Sequence, residues 1–534
     1  MPNPLGIDRT RKTLAELQAP LGRAIAAART RDIDEQQVAV ARLADVATRL
    51  RAAQDLAAWA ESAGGIYREQ AAVFAGQVVS DVSRLVRDHG PEHGLTAADL
   101  PSEESQAFAR EALSEERVRA IGRAVAAQRG RNDCPLDETL VLTRDAARSF
   151  AESEVAPQAE RIHRHDELVP ESFIKNMSEL GYFGLSIPEK YGGVEMGNVA
   201  MVITTEELSR ASLAAAGSLI TRPEILAKAL LAGGTEAQKA HWLPKIAAGE
   251  LMVGISVTEP DVGSDVASVK CRAERATQNG VAGWEINGPK AWCTFAGRAD
   301  VLAVLCRTDP DMSKGNRGLT LFIVPKPRAL GHEFDFSQPG GGRLVGKADA
   351  TPGYRGMHSF TLSFERWFVP ADHAVGGESG IGKGFVLQMG GFAAGRLQTG
   401  GRACGLAQAA LEKTAEYVVD RVQFGKPLID FQLTEYKLGW MATQVAAARA
   451  ITYAAAAAMD EDERRAAPYA SQAKLLACDV AVAVSQEGQL LHGGWGYAEE
   501  YAISRYVVDA QVLPIFEGVK ATLLLKVIGR ALVA

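Results

Sequence analysis

The sequence predicts an α+β fold that is mostly helical, with one antiparallel β region set between helical regions. Three observations carry this. Residues 5 to about 250 place apolar positions at helical spacing; short β-prone runs with turn dipeptides replace that pattern from about 251; helical periodicity returns at about 383 and lasts to residue 534. Strands do not alternate with helices, which excludes a doubly wound parallel sheet and a Rossmann cofactor site. The 534 residues are 47% hydrophobic and 23% charged, the balance of a folded globular chain of about three or four domains. A net charge of −7 argues against sequence-independent nucleic-acid binding. Six cysteines stand far apart with no C-x-x-C pair, so neither a disulfide framework nor a zinc knuckle is expected, and a reducing compartment fits. Met1–Pro4 is followed by charges at Asp8, Arg9, Arg11 and Lys12 rather than an apolar leader. The apolar run Ala454–Met459 is closed by Arg449 and Asp460, far short of the ~20 residues of a membrane span. A soluble, cytoplasmic protein is the expectation.

Four regions follow in order: 1–135, 136–250, 251–382 and 383–534. In the first, Asp34 and Gln37 have capping-box spacing, and Leu43, Val46, Leu50, Ala53 and Ala57 share one helical face. Breaks at Ala63-Gly64-Gly65 and at His89 to Pro101 divide it into two or three packed helices, with His89 and His93 read as surface loop residues. The second region continues helical, with a glycine-rich loop at Tyr191-Gly192-Gly193. His163 and His165, two apart on a helix, point away from each other, and no metal site is expected. The third offers strands at Leu251–Thr258, Ser268–Arg275, Gly283–Asn287, Val301–Arg307, Leu319–Val324 and Phe360–Phe368, with hairpin turns at Asn279-Gly280 and Asn287-Gly288. The near-P-loop Gly377-x4-Gly382-Lys383 carries Gly384 where magnesium needs a hydroxyl, so it reads as a loop. The fourth region has four or five long segments, enough for a bundle.

Four segments stand out chemically. They are Val257-Thr258-Glu259-Pro260-Asp261-Val262-Gly263-Ser264-Asp265, Trp292-Cys293-Thr294, Arg421-Val422-Gln423-Phe424-Gly425-Lys426-Pro427, and the stretch from His492-Gly493-Gly494-Trp495-Gly496-Tyr497 to Ile515-Phe516-Glu517-Gly518. Glu517 follows the apolar run Val512–Phe516, whose desolvation favours the neutral acid. A helix is expected after it, with Val519, Leu523, Val527 and Ala531 on one face and an N-terminal dipole that favours the carboxylate.

Together these segments resemble the acyl-CoA dehydrogenase family over about residues 140–534. The resemblance implies a helical domain, a central β domain and a C-terminal four-helix bundle, with residues 1–135 as an extra helical region. It implies FAD as cofactor, an acyl-CoA substrate and α,β-dehydrogenation, in which Glu517 removes the α-proton and flavin N5 takes the β-hydride. On the same basis Ile255, Val257, Thr258, Gly263 and Ser264 contact FAD, with Ser264 also turned toward the pantetheine arm. Thr294 matches the residue bonded to N5 and Trp292 the aromatic flanking the flavin. Arg421, Gln423, Phe424, Phe431 and Gln432 belong to an inter-subunit flavin site, and Gly493, Gly494 and Val519 complete the cofactor set. Phe392, Arg396 and Gly518 join the substrate site. An electron-transferring flavoprotein is the implied electron acceptor, and a homodimer or homotetramer the implied assembly.

The long leading region and Gly353-Tyr354-Arg355-Gly356-Met357-His358-Ser359 are similar to family members of the ethylmalonyl-CoA pathway that oxidise (2S)-methylsuccinyl-CoA to mesaconyl-CoA. A distal carboxylate in an apolar pocket needs a cation, and Arg222 in Ile220-Thr221-Arg222-Pro223 is the first candidate, Arg355 the second. Three positions depart from the family pattern. Leu490 stands where a Gln usually precedes the His-Gly-Gly, with Gln489 one earlier, so either the helix shifts or backbone replaces that flavin contact. Val519 replaces a Thr and Ala502 a Pro. Another short- or branched-chain dehydrogenase and an acyl-CoA oxidase share these residues; a monooxygenase on this fold would lack Glu517, and a DNA-binding relative would need a basic surface.

Overall fold

A computed structural model describes residues 5–534; the opening Met1–Pro4 lies outside the described residues. The chain forms two compact units. One joins the chain up to Asp145 with Thr399–Ala534, and the other is Ala146–Gln398. The long helix Gly384–Asp420 begins in the second and ends in the first.

In the first unit the leading region builds six α-helices rather than two or three: Ile7–Glu16, Gln18–Ala28, Gln37–Ala63, Gly65–His89, Glu103–Ala112 and Glu115–Ala127. The foreseen face is buried at Leu43, Val46, Leu50, Ala53 and Ala57, and the break falls at Gly64, which adopts φ 63°. The Asp34–Gln37 capping box does not form. Asp34 lies inside a short 3-10 turn capped by Asp32, and Gln37 only donates to the Asp34 side chain. His93 is buried rather than a surface residue, and burial pushes its pKa down to about 4.

These helices pack directly on the bundle helix Gln432–Glu461. At the crossing a Cβ on Gly122 would stand 1.9 Å from the Glu435 carbonyl oxygen, and one on Gly439 would stand 2.0 Å from that of Val118. Two glycines thus let two backbones touch. Arg119 and Arg123 pair with Glu435 beside them, at 2.7 and 3.0 Å. The bundle continues through the helix Glu463–His492 and closes on a C-terminal segment that is not one regular α-helix. A π-turn at Leu523–Gly529 rotates the expected stripe, so that Leu523, Leu524 and Ile528 are buried while Val519 and Ala531 are exposed.

The second unit holds the sheet: β1 (Val253–Ser256), β2 (Arg272–Gln278), β3 (Val281–Thr294), β4 (Val301–Arg307), β5 (Leu319–Pro325), β6 (Glu333–Ser337), β7 (Arg343–Ala348) and β8 (Ser359–Pro370). The order is β1-β4-β2-β3-β8-β7-β6, with β5 on β4. The sheet is mainly antiparallel, but β1 and β2 both run parallel to β4. Every β4 residue is buried, as its unbroken apolar run requires. Asn279-Gly280 closes the β2–β3 hairpin with both residues at positive φ, as a type I′ turn demands. Asn287-Gly288 makes no turn. It lies within β3 at a break in the pairing with β8, where Gly288 has φ 131° and its missing side chain leaves room for Cys271.

In this unit the helix Thr221–Gly233 runs along the start of Gly384–Asp420. A Cβ on Gly233 would meet Leu387, and one on Gly391 would meet the Ile225 carbonyl oxygen. Ile187, Leu226, Leu230, Leu243, Leu305 and Leu321 are core residues beneath.

Candidate functional site

Glu517 sits at φ 55°, a left-handed conformation that non-glycine residues rarely adopt. Its side chain is 7% exposed and lies 3.7 Å from the Arg402 guanidinium, which is fully buried. Arg402 also stacks over the Phe516 ring at 4.8 Å and donates to Thr399 Oγ1 at 2.6 Å. Lys474, equally buried, donates to the carbonyl oxygens of Phe516 and Gly518, both at 2.6 Å. The loop that carries the carboxylate is therefore held from both sides by buried cations. The expected apolar surroundings are only part of its environment: Ile515 is exposed, and a guanidinium stands beside the acid.

Sequence reasoning missed Arg402 and Lys474. The available signal is a lone charge in an otherwise small, apolar stretch, as in Gly400-Gly401-Arg402-Ala403-Cys404.

The segment after β1 is positioned by another buried ion pair. Lys290 Nζ donates to Glu259 Oε1 and to the Val257 carbonyl oxygen, each at 3.0 Å. Glu259 also accepts the backbone N–H groups of Lys270 and Cys271. The Ala291 N–H reaches the Thr258 carbonyl oxygen at 2.9 Å, so the loop of Val257, Thr258, Gly263 and Ser264 is tied to β3. Past Lys290 the pairing of β3 with β8 shifts register, and Trp292 takes φ 57° with 59% of its surface exposed. Thr294 follows, its hydroxyl 3.0 Å from that of Ser359. Cys293 between them faces inward, and burial pushes its thiol up to about 12, so it is no nucleophile.

In the first unit Arg421, Gln423, Leu490, His492, Gly493 and Gly494 line a cavity of about 620 Å³, with Tyr417 and Trp495 as aromatic walls. Phe424 is 93% exposed at φ 51° and meets Phe431 edge-on; Gln432 is exposed and opens the next helix. Gly493 and Gly494 have nothing within 4 Å of a built Cβ, so backbone is open to a ligand there. His492 stacks on Tyr417, and its burial lowers its pKa. The helix Glu463–His492 runs unbroken through the departing position. Gln489 donates to the Gly496 carbonyl oxygen, while Leu490 faces the cavity.

Arg222 is buried, 3.1 Å from the Tyr354 hydroxyl and 3.4 Å from the Ser218 carbonyl oxygen, and no carboxylate of the described residues lies within 4 Å of it. Arg355 is half-buried and already engaged: it lies 3.4 Å from Asp166 and donates to the Thr351 and His163 carbonyl oxygens. Phe392 and Arg396 sit half-buried on the helix Gly384–Asp420, at and just beyond the turn that meets Ile225.

These donors fit a flavin dinucleotide. An exposed aromatic with a hydroxyl two residues on suits a flavin ring, and an open glycine floor with Arg421 suits a pyrophosphate. Comparisons with known proteins give the family. Residues 137–250, 254–367 and 382–533 match the N-terminal, middle and C-terminal domains of acyl-CoA dehydrogenase. The chain is 42% identical to a (2S)-methylsuccinyl-CoA dehydrogenase of Cereibacter sphaeroides over 398 residues, 74% of this chain and 70% of the relative. Butyryl-CoA dehydrogenase from Megasphaera elsdenii superposes with TM-score 0.68 at 31% identity, over 76% of this chain and all of that one. A glutaryl-CoA dehydrogenase solved with glutaryl-CoA gives 0.67 at 31% identity, covering 74% and 95%. The chain belongs to the acyl-CoA dehydrogenase family and is an FAD-dependent oxidoreductase.

Proposed function

We propose that this enzyme oxidises (2S)-methylsuccinyl-CoA to mesaconyl-CoA, with Glu517 as the base. FAD, when bound, supplies the acceptor for the β-hydride. The chain's own residues hold the thioester and move the proton. Glu517 Oε takes it from the α-carbon, and the Glu517 backbone N–H donates to the thioester oxygen as negative charge develops there. Trp292 and Thr294 would hold the flavin ring, Ile255 to Ser264 its strand-side contacts, and Arg421, Gln423, Phe424, Phe431, Gln432, Gly493, Gly494 and Val519 the dinucleotide of a neighbouring copy in a homodimer or homotetramer. Ser264, Phe392, Arg396 and Gly518 would line the acyl-CoA path.

Buried guanidinium beside the base is the observation that carries the substrate. The carboxylate of a methylsuccinyl chain lies two bonds from the carbon that loses its proton, so its cation must stand close to Glu517. Arg402 does, at 3.7 Å. Arg222, buried away from any carboxylate, is the second cation, and the Asp166 pairing of Arg355 leaves it less suited. The 42% identity to a (2S)-methylsuccinyl-CoA dehydrogenase supports the same substrate. Electrons would pass on to an electron-transferring flavoprotein, and the six buried free thiols suit the cytoplasm.

A panel of short acyl-CoAs, with and without a distal carboxylate, tests this by bleaching of the yellow enzyme without oxygen. Methylsuccinyl-CoA should reduce the flavin fastest; a preference for butyryl-CoA would overturn the substrate.

A further inference from the structure

Asp166, His332 and His358 come from three separate segments of the second unit, and their ligating atoms all lie within 4.8 Å of one another. Asp166 ends the turn after the helix Ala156–Arg164, His332 precedes β6, and His358 precedes β8. None belongs to the flavin or acyl-CoA machinery described above.

The hydrogen bonding of His358 is one positive charge short. Nδ1 stands 3.2 Å from the Gly356 carbonyl oxygen and Nε2 stands 3.1 Å from Asp166 Oδ1. Both partners are acceptors, yet a neutral imidazole has a single N–H. If Nδ1–H serves the carbonyl, the Nε2 lone pair faces a carboxylate lone pair. A cation between Nε2 and the carboxylate relieves this. A second imidazole is already there: the His332 ring lies 4.4 Å from that of His358 and is exposed, so solvent reaches the group. Arg355, 3.4 Å from the same Asp166 oxygen, occupies the outer position that often supports a ligating carboxylate. Asp166 and His358 both hold positive φ, at 54° and 42°.

We propose that Asp166, His332 and His358 form a binding site for a divalent transition cation of the zinc type, with water completing its shell. Two imidazoles and one carboxylate are donors that suit zinc, and three protein ligands leave an open position. The ion clamps three loops together behind the flavin strand, since the His358 carbonyl oxygen accepts the Phe295 N–H at 2.8 Å and Ser359 meets Thr294.

Equilibrium dialysis of the untagged, FAD-loaded full-length enzyme against zinc, read by elemental analysis, tests the site. About one zinc per chain should be retained, and cobalt in its place should give visible absorption beyond the flavin bands. His332→Ala and Asp166→Asn should each weaken binding about tenfold or more while keeping the flavin spectrum. His165→Ala, an exposed histidine next to Asp166, should bind as the parent does. No retained zinc in the parent, or equal retention in His332→Ala, overturns the proposal, as does equal loss in His165→Ala.

Discussion

Glu517 and Arg402 form a buried acid–base contact whose value depends on what else enters. Alone, the pair sets two opposite charges 3.7 Å apart in a buried site. On the proposed reading, Arg402 is the cation that the carboxylate of a dicarboxylic substrate would meet. Arg222→Ala is expected to lower kcat/KM more for methylsuccinyl-CoA than for butyryl-CoA, because only the first carries a carboxylate that a second cation can serve. Equal losses on the two substrates would remove Arg222 from this role. Glu517 could be singled out as a candidate because a Glu-Gly after an apolar run matches the family pattern. Arg402 was not, because a single charge on a helix carries no spacing, and only the fold brings it to the Glu517 loop.

Just before the irregular end of strand β3, the Lys290–Glu259 pair, both members buried, ties the strand to the loop after β1. Lys290→Met strands Glu259 without its cation and should cost about 3–5 kcal/mol of stability, together with FAD occupancy. Denaturant titration of holoenzyme and variant measures it, and an unchanged midpoint would show the pair to be dispensable. Turn chemistry was readable at Asn279-Gly280, because two consecutive positive-φ residues close a two-residue hairpin. It misled at Asn287-Gly288, where the same dipeptide makes room for Cys271 inside a strand. β6 and β7 went unseen, since Glu333–Ser337 and Arg343–Ala348 are short runs broken by charged residues. The C-terminal stripe was misplaced because a π-turn changes the period that locates it. A titrating contact joins the helices Gln37–Ala63 and Glu463–His492: the Tyr469 hydroxyl donates to Asp55 at 2.6 Å, and burial pushes the Asp55 pKa up from 3.8 to about 6. The folded chain then binds the extra proton between those values, so this group's contribution falls as pH rises through about 6. Asp55→Asn should flatten that part of the stability–pH curve, and an unchanged slope would contradict the assignment.

Residues up to Asp145 and the C-terminal bundle fold as one unit, so the leading helices are part of the enzyme's frame. The helical and β texture of the sequence was enough to reach the fold class. It could not show this union, because the Gly122–Gly439 crossing depends on two residues more than 300 positions apart. Gly439→Leu should force those helices apart and cost about 1–3 kcal/mol or more, seen as a lowered Tm and early proteolysis of the leading region. No helix of the described residues is long and apolar enough to cross a membrane. FAD retention should depend on assembly: Arg421→Ala should lower occupancy by losing a contact of about 1.5–3 kcal/mol, and a monomer that holds FAD fully would contradict the inter-subunit site. On the proposed reading, activity rests on the Glu517 carboxylate. Anaerobic stopped-flow reduction of the flavin by methylsuccinyl-CoA, in the parent and in Glu517→Gln, isolates it. The variant should keep FAD and bind the substrate yet reduce the flavin roughly 10³-fold or more slowly, whereas near-parental reduction would show that another group takes the α-proton.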